Sequence, residues 1–597
     1  MLFPKPIQLP DARLTRKSPF EEEDVSPYIS PENPETTNVA EELRLEMLYW
    51  HYLNPVFIDA ACGLGKTSFI CGPLLDYVYE TGDVMLVVAN RVALNTQYKT
   101  TILEKRAPEV RKMFTAVGIS QMREFEGVPV IFVNYQGLGA FINEYRNQPE
   151  AQKKIKWVIL DEVHYFCADS FFTNEDTYKL LRQIPKVFKE CIRIYCTATP
   201  WVVRNVIASV EEETPPPILN RLNVTFGGYV PLPRRMIYYN FPDVHRNYEL
   251  HFFPAEMRAP KNCGELCSNL IKLRNDGEKA VVFVDSKQIG KAIHDALPRS
   301  IYLDQDSKEK REWNSLIENQ KFDADYLIAT AVIDSGININ DPTVKHIIIF
   351  SDDHVQAIQE LGRRRFIKNE VVHVYFVDLS VADIKRRLNR DLQLLGDLDK
   401  FEHSPPEQFA LRKELWFAEE PARRHLITVG YHGTLSVNRC AEYKLHQCIL
   451  FYMKLLREHE NGDAHPFATA VCRWLNIDQD SSDVDWVNSS KEEKEKKVRD
   501  FLEAQVGSEL TKGEAQDGFA NQFRNLCNAA YGKREKSHPT RPWKARTISS
   551  VLNEHQLPYV VEANKKTKVW IIKRKELDSK EDSSSDSSAP EANKEVT

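Results

Sequence analysis

The sequence predicts an α/β fold in which parallel β-sheets are covered by helices. A glycine-rich stretch, residues 60–67, lies between an apolar run and a segment able to continue as a helix. A second apolar run, Trp157–Leu160, ends in two carboxylates. Further apolar runs along the chain alternate with polar or amphipathic stretches, which is the pattern of parallel strands covered by helices.

The stretch at 60–67 has the composition of a phosphate-binding loop. Strand, glycine loop and helix is the arrangement in which backbone N–H groups converge on phosphate oxygens beside the positive end of a helix. Lys66 would reach the β- and γ-phosphates, and the Thr67 hydroxyl would hold magnesium. Ala60 stands where the strict motif has glycine. The predicted nucleotide-binding residues of the loop are Ala61, Cys62, Gly63, Leu64, Gly65, Lys66, Thr67 and Ser68.

The second apolar run is followed by Asp161-Glu162-Val163-His164. Carboxylates at the carboxyl end of a parallel strand face the crevice in which α/β folds bind ligands. We expect Asp161 to hold magnesium through water and Glu162 to orient and deprotonate the attacking water. Phosphoryl transfer needs this positioning and charge neutralisation more than covalent chemistry.

From these motifs onward the chain resembles superfamily 2 helicases of the DEAD/DEAH-box kind, over roughly residues 55–370. Similar motifs follow in order at 87–97, 133–136, 196–200, 280–287, 327–339 and 359–365. The absence of an adenine-reading glutamine motif before the loop, together with His164, favours the DExH branch. The resemblance implies two tandem RecA-like motor domains, with ATP and Mg²⁺ as cofactors.

The same resemblance implies roles for individual residues. Backbone contacts to nucleic acid are implied for Arg91, Gln97, Tyr135, Gln136 and Thr330. Coupling of hydrolysis to movement is implied for His164, Thr197 and Thr199. Nucleotide binding is implied for Gly336, and catalytic contributions across the cleft are implied for Gln359, Arg363 and Arg365.

Two positions depart from the family pattern. The finger motif usually ends in glycine-arginine, but Arg365 and Phe366 stand there. Arg363 is therefore the better candidate for the arginine finger, and either Arg364 or Arg365 could supply the second positive charge. Asn338 stands where many relatives carry aspartate, at the position of a ribose contact.

Composition limits the remaining possibilities. The chain has 597 residues, of which 42% are hydrophobic and 28% charged, and its net charge is −7. It contains no apolar run of the roughly 18–20 residues that a membrane span requires. The start lacks a charged segment followed by an apolar core, and the 11 cysteines are scattered. We therefore expect reduced thiols and a cytoplasmic protein without a membrane partner.

The predicted organisation has six parts. They are an N-terminal arm at 1–45, the first motor domain at 46–222, the second at 223–395, a mainly helical accessory domain at 396–530, a basic winged-helix-like module at 531–575 and a disordered acidic tail at 576–597. An aromatic and β-branched stretch from Gly227 to Phe253 predicts a hairpin or linker strands between the motor domains.

The basic module is the second candidate region for nucleic-acid contact. Residues 531–575 carry 12 Lys/Arg against 3 Asp/Glu in an acidic chain. A capped short helix from Thr547 is followed by two predicted strands around a lysine-rich turn. Because such a hairpin can track phosphates, Lys565, Lys566 and Lys568 are predicted contacts. The alternative is a small α+β cap with an exposed basic turn.

Three functions remain open from the sequence. The leading one is an ATP-dependent helicase or translocase, with DNA favoured over RNA because of the basic module and the DExH-type box. The second is a double-strand translocase or remodeller that does not unwind. The third is a weakly hydrolysing, ATP-switched nucleic-acid-binding protein, which only the irregular finger motif supports.

Overall fold

A computed structural model defines the architecture of the chain. It describes residues 28–29 and 38–575, apart from 91, 149–153, 172, 174–175, 215–235, 242–246, 308–311, 313–315, 317–318, 331–337, 365–369, 411, 431–432, 478–483, 488–497, 532–542, 556 and 565–566. The chain divides into two compact units, Met1–Val487 and Asn488–Thr597.

The first seven-stranded sheet is entirely parallel. Its strands are β1 (Tyr28–Ile29), β2 (Val56–Ala60), β3 (Val84–Ala89), β4 (Val130–Asn134), β5 (Ile155–Asp161), β6 (Ile192–Thr197) and β7 (Ile237–Phe241). Their spatial order is β1-β7-β2-β6-β5-β3-β4. The central strands are mainly apolar, as expected for parallel strands whose two faces are both buried by helices. Strands β1 and β7 lie outside the predicted bounds of this domain, 46–222.

Helices cover both faces of the first sheet. They are α1 (Val39–Glu46), α2 (Lys66–Phe69), α3 (Leu75–Thr81), α4 (Val92–Arg106), α5 (Pro108–Met113), α6 (Ala116–Gln121), α7 (Tyr135–Arg146), α8 (Tyr165–Ala168), α9 (Thr177–Val187) and α10 (Arg204–Glu212). A π-helical turn, Ile70–Leu74, joins α2 to α3. Asn38 and Asn134 cap α1 and α7 with their side-chain oxygens, satisfying backbone N–H groups that have no partner within the helix.

The second sheet begins within the stretch from Gly227 to Phe253 that was predicted to link the two domains. Six of its strands are β8 (Asn247–Phe253), β9 (Lys279–Phe283), β10 (Ser300–Leu303), β11 (Tyr326–Ala329), β12 (Val344–Ile349) and β13 (Val371–Val377). Their helices are α11 (Cys263–Leu273), α12 (Lys287–Ala296), α13 (His354–Arg363) and α14 (Val381–His403). The stretch from Gly227 to Phe253, predicted as a hairpin or as linker strands, contributes β7 and β8, which pair in parallel with different sheets and not with each other.

A helical region follows α14. Its elements are α15 (Pro406–Ala410), α16 (Lys413–Glu419), α17 (Arg423–Leu426), the short hairpin β14 (Ile427–Val429) and β15 (Leu435–Val437), α18 (Arg439–Glu460) and α19 (Pro466–Trp474). After α19 the chain adds β16 (Val484–Trp486) to the edge of the second sheet, beside β8. The full order of that parallel sheet is β10-β11-β9-β12-β13-β8-β16.

Helix α18 packs against both motor domains. Cys440 and Tyr443 belong to the hydrophobic core formed with the first sheet, whereas Leu445 and Ile449 belong to a core of the second. Lys444 forms an ion pair at 2.5 Å with Asp353, the residue that caps α13. The helical region therefore joins the two motor domains along one side.

The second unit has its own hydrophobic core. Residues 498–504 are helical, and they precede β17 (Glu509–Leu510), α20 (Glu514–Tyr531), α21 (Ala545–Glu554), β18 (Tyr559–Ala563) and β19 (Trp570–Arg574). The strands form an antiparallel sheet in the order β17-β19-β18. Helix α21 is followed by the antiparallel β18–β19 hairpin, within the range 531–575 for which a winged-helix-like module is predicted. Lys565, Lys566 and the acidic tail lie outside the described residues.

Within the described ranges, no helix combines the length and the apolar character that crossing a membrane demands.

Candidate nucleotide site between the motor domains

The phosphate loop has the backbone geometry that its glycines predict. It leaves β2 after Ala60, and Gly63 and Gly65 adopt φ values of 92° and 93°. These left-handed conformations disfavour side chains with a Cβ, which explains why glycine is required at both positions. Helix α2 begins at Lys66, directly after the loop. The loop therefore lies at the amino end of a helix, as an anion-binding site requires.

Lys66 is buried against its own loop. Its Nζ donates to the carbonyl of Ala60 at 2.5 Å and to that of Ala61 at 3.4 Å. The positive charge therefore lies inside the cleft, beside the backbone that would surround phosphate.

Asp161 ends β5 and is nearly inaccessible. One carboxylate oxygen accepts the Tyr98 hydroxyl at 2.5 Å, and the other accepts the Glu162 N–H at 3.0 Å. Burial raises the pKa of Asp161 above its usual range, and the adjacent Glu162 charge adds to the increase. A nearby cation would stabilise the ionised form of this buried carboxylate.

Glu162 adopts φ 54°, a left-handed conformation that is unusual for a residue with a side chain. Such strain concentrates at functional sites. Its Oε2 lies 3.3 Å from His164 Nδ1. Burial alone would raise the pKa of Glu162, but the contact with His164 and the charges of Lys66 and Arg363 together outweigh burial, so the pKa lies below its usual value. Glu162 is therefore an anion at neutral pH.

His164 continues the chain of polar contacts inside the first domain. Its Nδ1 also lies 3.1 Å from Thr197 Oγ1, and Thr197 Oγ1 lies 3.3 Å from Thr199 Oγ1. The three residues predicted to couple hydrolysis to movement are therefore buried next to one another and next to Glu162.

Side chains from α13 reach this network from the second domain. Gln359 Nε2 donates to Glu162 Oε2 at 3.5 Å, and Arg363 Nη2 donates to Gln359 Oε1 at 2.7 Å. The buried Nε of Arg363 has no hydrogen-bond partner within the described part of the chain. Arg363 thus retains donor capacity for an anion in the cleft.

The two walls enclose a cavity of about 430 Å³. Its lining comprises Cys62, Gly63, Gly65, Lys66, Thr67, Ser68, Leu94, Gln97, Thr101, Lys105, Asp161 and Glu162 from the first domain, and Gln320, Asn338, Asn340, Gly362 and Arg363 from the second. Lys66 and Glu162 of the first domain and Arg363 of the second, three of the predicted catalytic residues, therefore meet at one cavity.

Arg364 has a different environment from Arg363. It is buried, pairs with Glu370 at 2.6 Å and donates to the Val344 carbonyl at 3.1 Å, all within the second domain. Because the Arg364 guanidinium already bonds to Glu370 and Val344, Arg363 is the better candidate for the arginine finger. Arg365 and Gly336, both predicted site residues, lie outside the described residues.

Four cavity residues come from one face of α4. Leu94, Gln97, Thr101 and Lys105 recur at helical spacing, and Gln97 Oε1 accepts Asn338 Nδ2 at 3.3 Å across the cleft. Gln97 was predicted to contact nucleic acid, whereas the structure places its side chain at the wall of the cavity between the domains. The spacing of these residues is the sequence signal that could have placed them together.

The other predicted nucleic-acid contacts differ in accessibility. Tyr135 is fully buried: its ring stacks on Tyr165 at 4.6 Å, and its hydroxyl donates to the Asp161 carbonyl. It therefore supports the catalytic strand and cannot reach a ligand outside. Gln136 is exposed and Thr330 is half-buried, while Arg91 lies outside the described residues.

An aromatic stack that the sequence did not reveal joins three regions. The His354 ring lies between Trp201, at a centroid distance of 4.1 Å, and Trp474, at 4.5 Å. Burial lowers the pKa of His354 to about 3, so the ring is neutral. Trp201 follows the Thr197–Thr199 segment, and His354 is the first residue of α13. The stack therefore connects the segment predicted to couple hydrolysis to movement with the helix that carries Arg363.

Close packing between Cys62 and Gly362 predicts a testable effect on catalysis. A Cβ built on Gly362 would lie 2.7 Å from Cys62 Sγ and 2.8 Å from its Cβ, so Gly362→Ala must separate the two walls. We expect ATP turnover to fall by about tenfold to a hundredfold, since misplacement of about 1 Å has this cost. Steady-state ATPase assays measure the effect.

The matched variants test whether the clash is the cause. Gly396→Ala alters a glycine of α14 whose Cβ would meet open space, so turnover should not change. Combining Gly362→Ala with Cys62→Gly should restore part of the lost turnover. Additive defects in the double variant would contradict the contact.

Comparison with known families supports the resemblance that the motifs predict. Residues 35–202 match the family model described as "Type III restriction enzyme, res subunit". This range includes the phosphate loop, the two carboxylates and the coupling threonines. The match confirms that the chain resembles superfamily 2 helicases, and with the two parallel sheets it identifies the RecA-like motor fold. No curated protein matches the chain.

Several solved structures resemble the chain at low identity. Dbp5 of S. cerevisiae bound to RNA and ADP BeF3 has 16% identity and a TM-score of 0.39, covering 57% of this chain and 83% of its own. Mss116p bound to ssRNA and AMP-PNP has 13% identity and a TM-score of 0.44, covering 76% and 94%. The DUF1998 helicase MrfA bound to DNA has 14% identity and a TM-score of 0.39, covering 68% and 58%.

Proposed function

We propose that this protein hydrolyses ATP and couples hydrolysis to movement along nucleic acid, either as a helicase or as a translocase. The observation that carries the proposal is the continuous polar chain from Arg363 through Gln359 and Glu162 to His164 and Thr197. It links the second motor domain to the first through the proposed catalytic carboxylate. Hydrolysis at this carboxylate would therefore alter the contact between the domains.

The donor set of the cleft fits magnesium and ATP. Thr67 and Asp161 offer hydroxyl and carboxylate oxygens at the cavity wall, which are the hard ligands that Mg²⁺ prefers. When bound there, magnesium supplies neutralisation of phosphate charge. Lys66 would exchange its contacts with Ala60 and Ala61 for phosphate oxygens. Gly63 and Gly65 let the loop backbone curve towards the anion.

Glu162 would position the attacking water. Its carboxylate is fixed by His164 on one side and Gln359 on the other. Because its pKa lies below the usual value, Glu162 is ionised at neutral pH, so it can orient the attacking water and accept its proton. Arg363 would stabilise the charge that develops on the transferred phosphoryl group.

The aromatic stack would transmit the state of the site to the helical region. His354 and Arg363 are the two ends of α13, and His354 is held between Trp201 of the first domain and Trp474 of α19. A shift of α13 during hydrolysis would therefore move against both neighbours.

Nucleic acid would contact the motor domains through accessible residues such as Gln136 and Thr330, and the second unit through its basic groups. Lys544, Arg546 and Lys568 are exposed there, and none has an ion pair among the described residues. Basic groups available for phosphate increase affinity in a salt-dependent way. We favour DNA over RNA because of this module and the DExH-type sequence.

Neutralising the lysine-rich turn should weaken nucleic-acid binding without affecting basal hydrolysis. For Lys565, Lys566 and Lys568 changed together to Ala, we expect the slope of log affinity against log salt to fall by about 2 to 3 units, if each lysine contacts one phosphate. Fluorescence anisotropy at several salt concentrations measures this slope. The loss should be similar for different sequences, since backbone contacts carry little base information.

A charge-neutral pair gives the control. Lys573 and Glu562 form an ion pair at 2.9 Å on the same hairpin, so replacing both by Ala should leave the slope unchanged. An unchanged slope in a folded triple-lysine variant would show that the turn does not contact phosphate.

One set of assays tests the proposed function. ATP turnover should rise in the presence of nucleic acid, and Lys66→Ala should abolish it while leaving nucleic-acid binding intact. Turnover is compared with single- and double-stranded DNA and RNA, and displacement of a labelled strand distinguishes unwinding from translocation alone. A turnover that no nucleic acid stimulates would contradict the proposal.

A further inference from the structure

We propose that Glu249, His251 and His373 form a binding site for a divalent transition-metal ion of the zinc class. None of the three lines the nucleotide cavity. One ligand atom from each lies within 4.8 Å of the others. Within the described ranges, no other group of three His, Cys, Asp or Glu side chains converges in this way.

Strand pairing brings the three residues together. Strands β8 and β13 are parallel neighbours, with His373 paired to Glu249 and Tyr375 paired to His251. Because alternate residues of a strand share a face, Glu249 and His251 lie on the same side as His373. The intervening residues, Leu250 and Val372 among them, are buried in the hydrophobic core. The sequence spacing alone, with over a hundred residues between the strands, gave no indication of this group.

The distance between the two imidazole nitrogens matches the ligand separation around a tetrahedral ion, and the carboxylate oxygen lies slightly closer to His373. His373 Nδ1 lies 2.9 Å from Glu249 Oε2 and 3.3 Å from His251 Nε2. Ligands at about 2.0–2.1 Å from zinc, arranged tetrahedrally, are separated by about 3.3 Å. Without a metal ion, at least one of these three atoms must carry a proton, because otherwise three lone pairs would face one another. A cation at the centre would satisfy all three together.

Neighbouring rings fix the orientation of both imidazoles. The His251 ring stacks on Tyr375 at 4.6 Å, and the His373 ring stacks on His346 at 5.0 Å. His346 is itself held at both nitrogens, by the Tyr375 hydroxyl at 3.1 Å and by Glu278 at 3.0 Å. Supporting contacts of this kind orient metal ligands in advance of binding.

The ligand types indicate the metal. Two imidazole nitrogens and one carboxylate oxygen suit zinc and similar ions, whereas Mg²⁺ and Ca²⁺ prefer oxygen ligands alone. The side chains of His373 and Glu249 are 31% and 46% exposed, so an ion can reach the site from solvent. Three protein ligands leave a fourth position for water. A bound ion would join β8, the first strand after the inter-domain linker, to β13.

The test uses the full chain with Zn²⁺ as the probe. Protein treated with a chelator and kept reduced is titrated with Zn²⁺ against a chromophoric chelator, with excess Mg²⁺ present to occupy the nucleotide cleft. We expect one tight equivalent in the parent protein. Affinity should fall at least tenfold in His251→Ala, His373→Ala and Glu249→Gln. Zn²⁺ should also raise the melting temperature of the parent and not of these variants.

A surface histidine provides the matched control. His403 lies beside Asp399, four residues earlier on α14, without a third ligand nearby among the described residues. His403→Ala should therefore bind Zn²⁺ like the parent. Absence of the tight equivalent in the parent, or its retention in His373→Ala, would overturn the proposal.

A second measurement does not depend on the variants folding. Co²⁺ bound to the parent should give visible absorption without thiolate charge-transfer bands, because nitrogen and oxygen are the ligands. Thiolate bands would place the ion on cysteines and would also overturn the proposal.

Discussion

Replacing Arg363 by Ala is expected to lower nucleic-acid-stimulated ATP turnover by about 10³- to 10⁵-fold, the range observed for arginine fingers. Arg363 is buried at the cavity wall opposite Lys66 and Thr67, and only Nη2 is used by Gln359. Its remaining donors are available for the charge that develops on the γ-phosphoryl group. Because this interaction strengthens in the transition state, ATP affinity should change much less than turnover. Steady-state kinetics and nucleotide-binding titrations separate the two quantities.

Two further variants distinguish charge from geometry and from general effects. Arg363→Lys keeps a positive charge but loses the planar fork, so it should recover only part of the turnover. Arg386→Ala removes an exposed arginine of the same domain, which pairs with Asp383 away from the nucleotide cavity, and should have no effect. Normal turnover in Arg363→Ala would show that the arginine finger is another residue, either Arg365 or an arginine of another subunit.

The phosphate loop and the carboxylates at the end of β5 could be predicted because their chemistry depends on residues close in sequence. Glycines at 63 and 65 are needed for left-handed backbone, and Lys66 and Thr67 follow at once on a helix. The parallel sheets could be predicted as well, since buried parallel strands are apolar along their whole length. Features that depend on residues close in sequence can therefore be recognised from a short segment of the chain.

Other features depend on packing between distant segments. Gln97 faces the cavity because α4 lies along it, and a motif position alone does not specify the direction of a side chain. Tyr135 follows a strand in a segment expected to touch nucleic acid, yet α7 packs onto the sheet and buries it. The stack of Trp201, His354 and Trp474 joins residues more than a hundred positions apart. Such contacts become visible only in three dimensions.

Replacing Glu162 by Gln is expected to lower the rate of ATP hydrolysis by about 10²- to 10⁴-fold, the usual contribution of a positioned acid–base group. Glutamine preserves the shape of the side chain, and Asp161 and Lys66 remain unchanged. The variant should therefore bind ATP and magnesium normally and accumulate the ATP-bound state. Single-turnover hydrolysis and the fraction of nucleotide retained as ATP measure both effects.

The low pKa of Glu162 also predicts how the effect of Glu162→Gln depends on pH. Against the effect of burial, His164 together with the charges of Lys66 and Arg363 holds the pKa of Glu162 below its usual value, so in the parent the group stays ionised as the pH falls towards its ordinary pKa. Its protonation should therefore add no loss of turnover near neutral pH, and the deficit of Glu162→Gln should be the same across that range. Glu213→Gln, the same change at an ion pair with Arg182 in the first domain, should hydrolyse ATP like the parent. Hydrolysis at the parent rate in Glu162→Gln would show that another group positions the water, and the strained backbone at Glu162 would then serve the contact to Gln359 rather than catalysis.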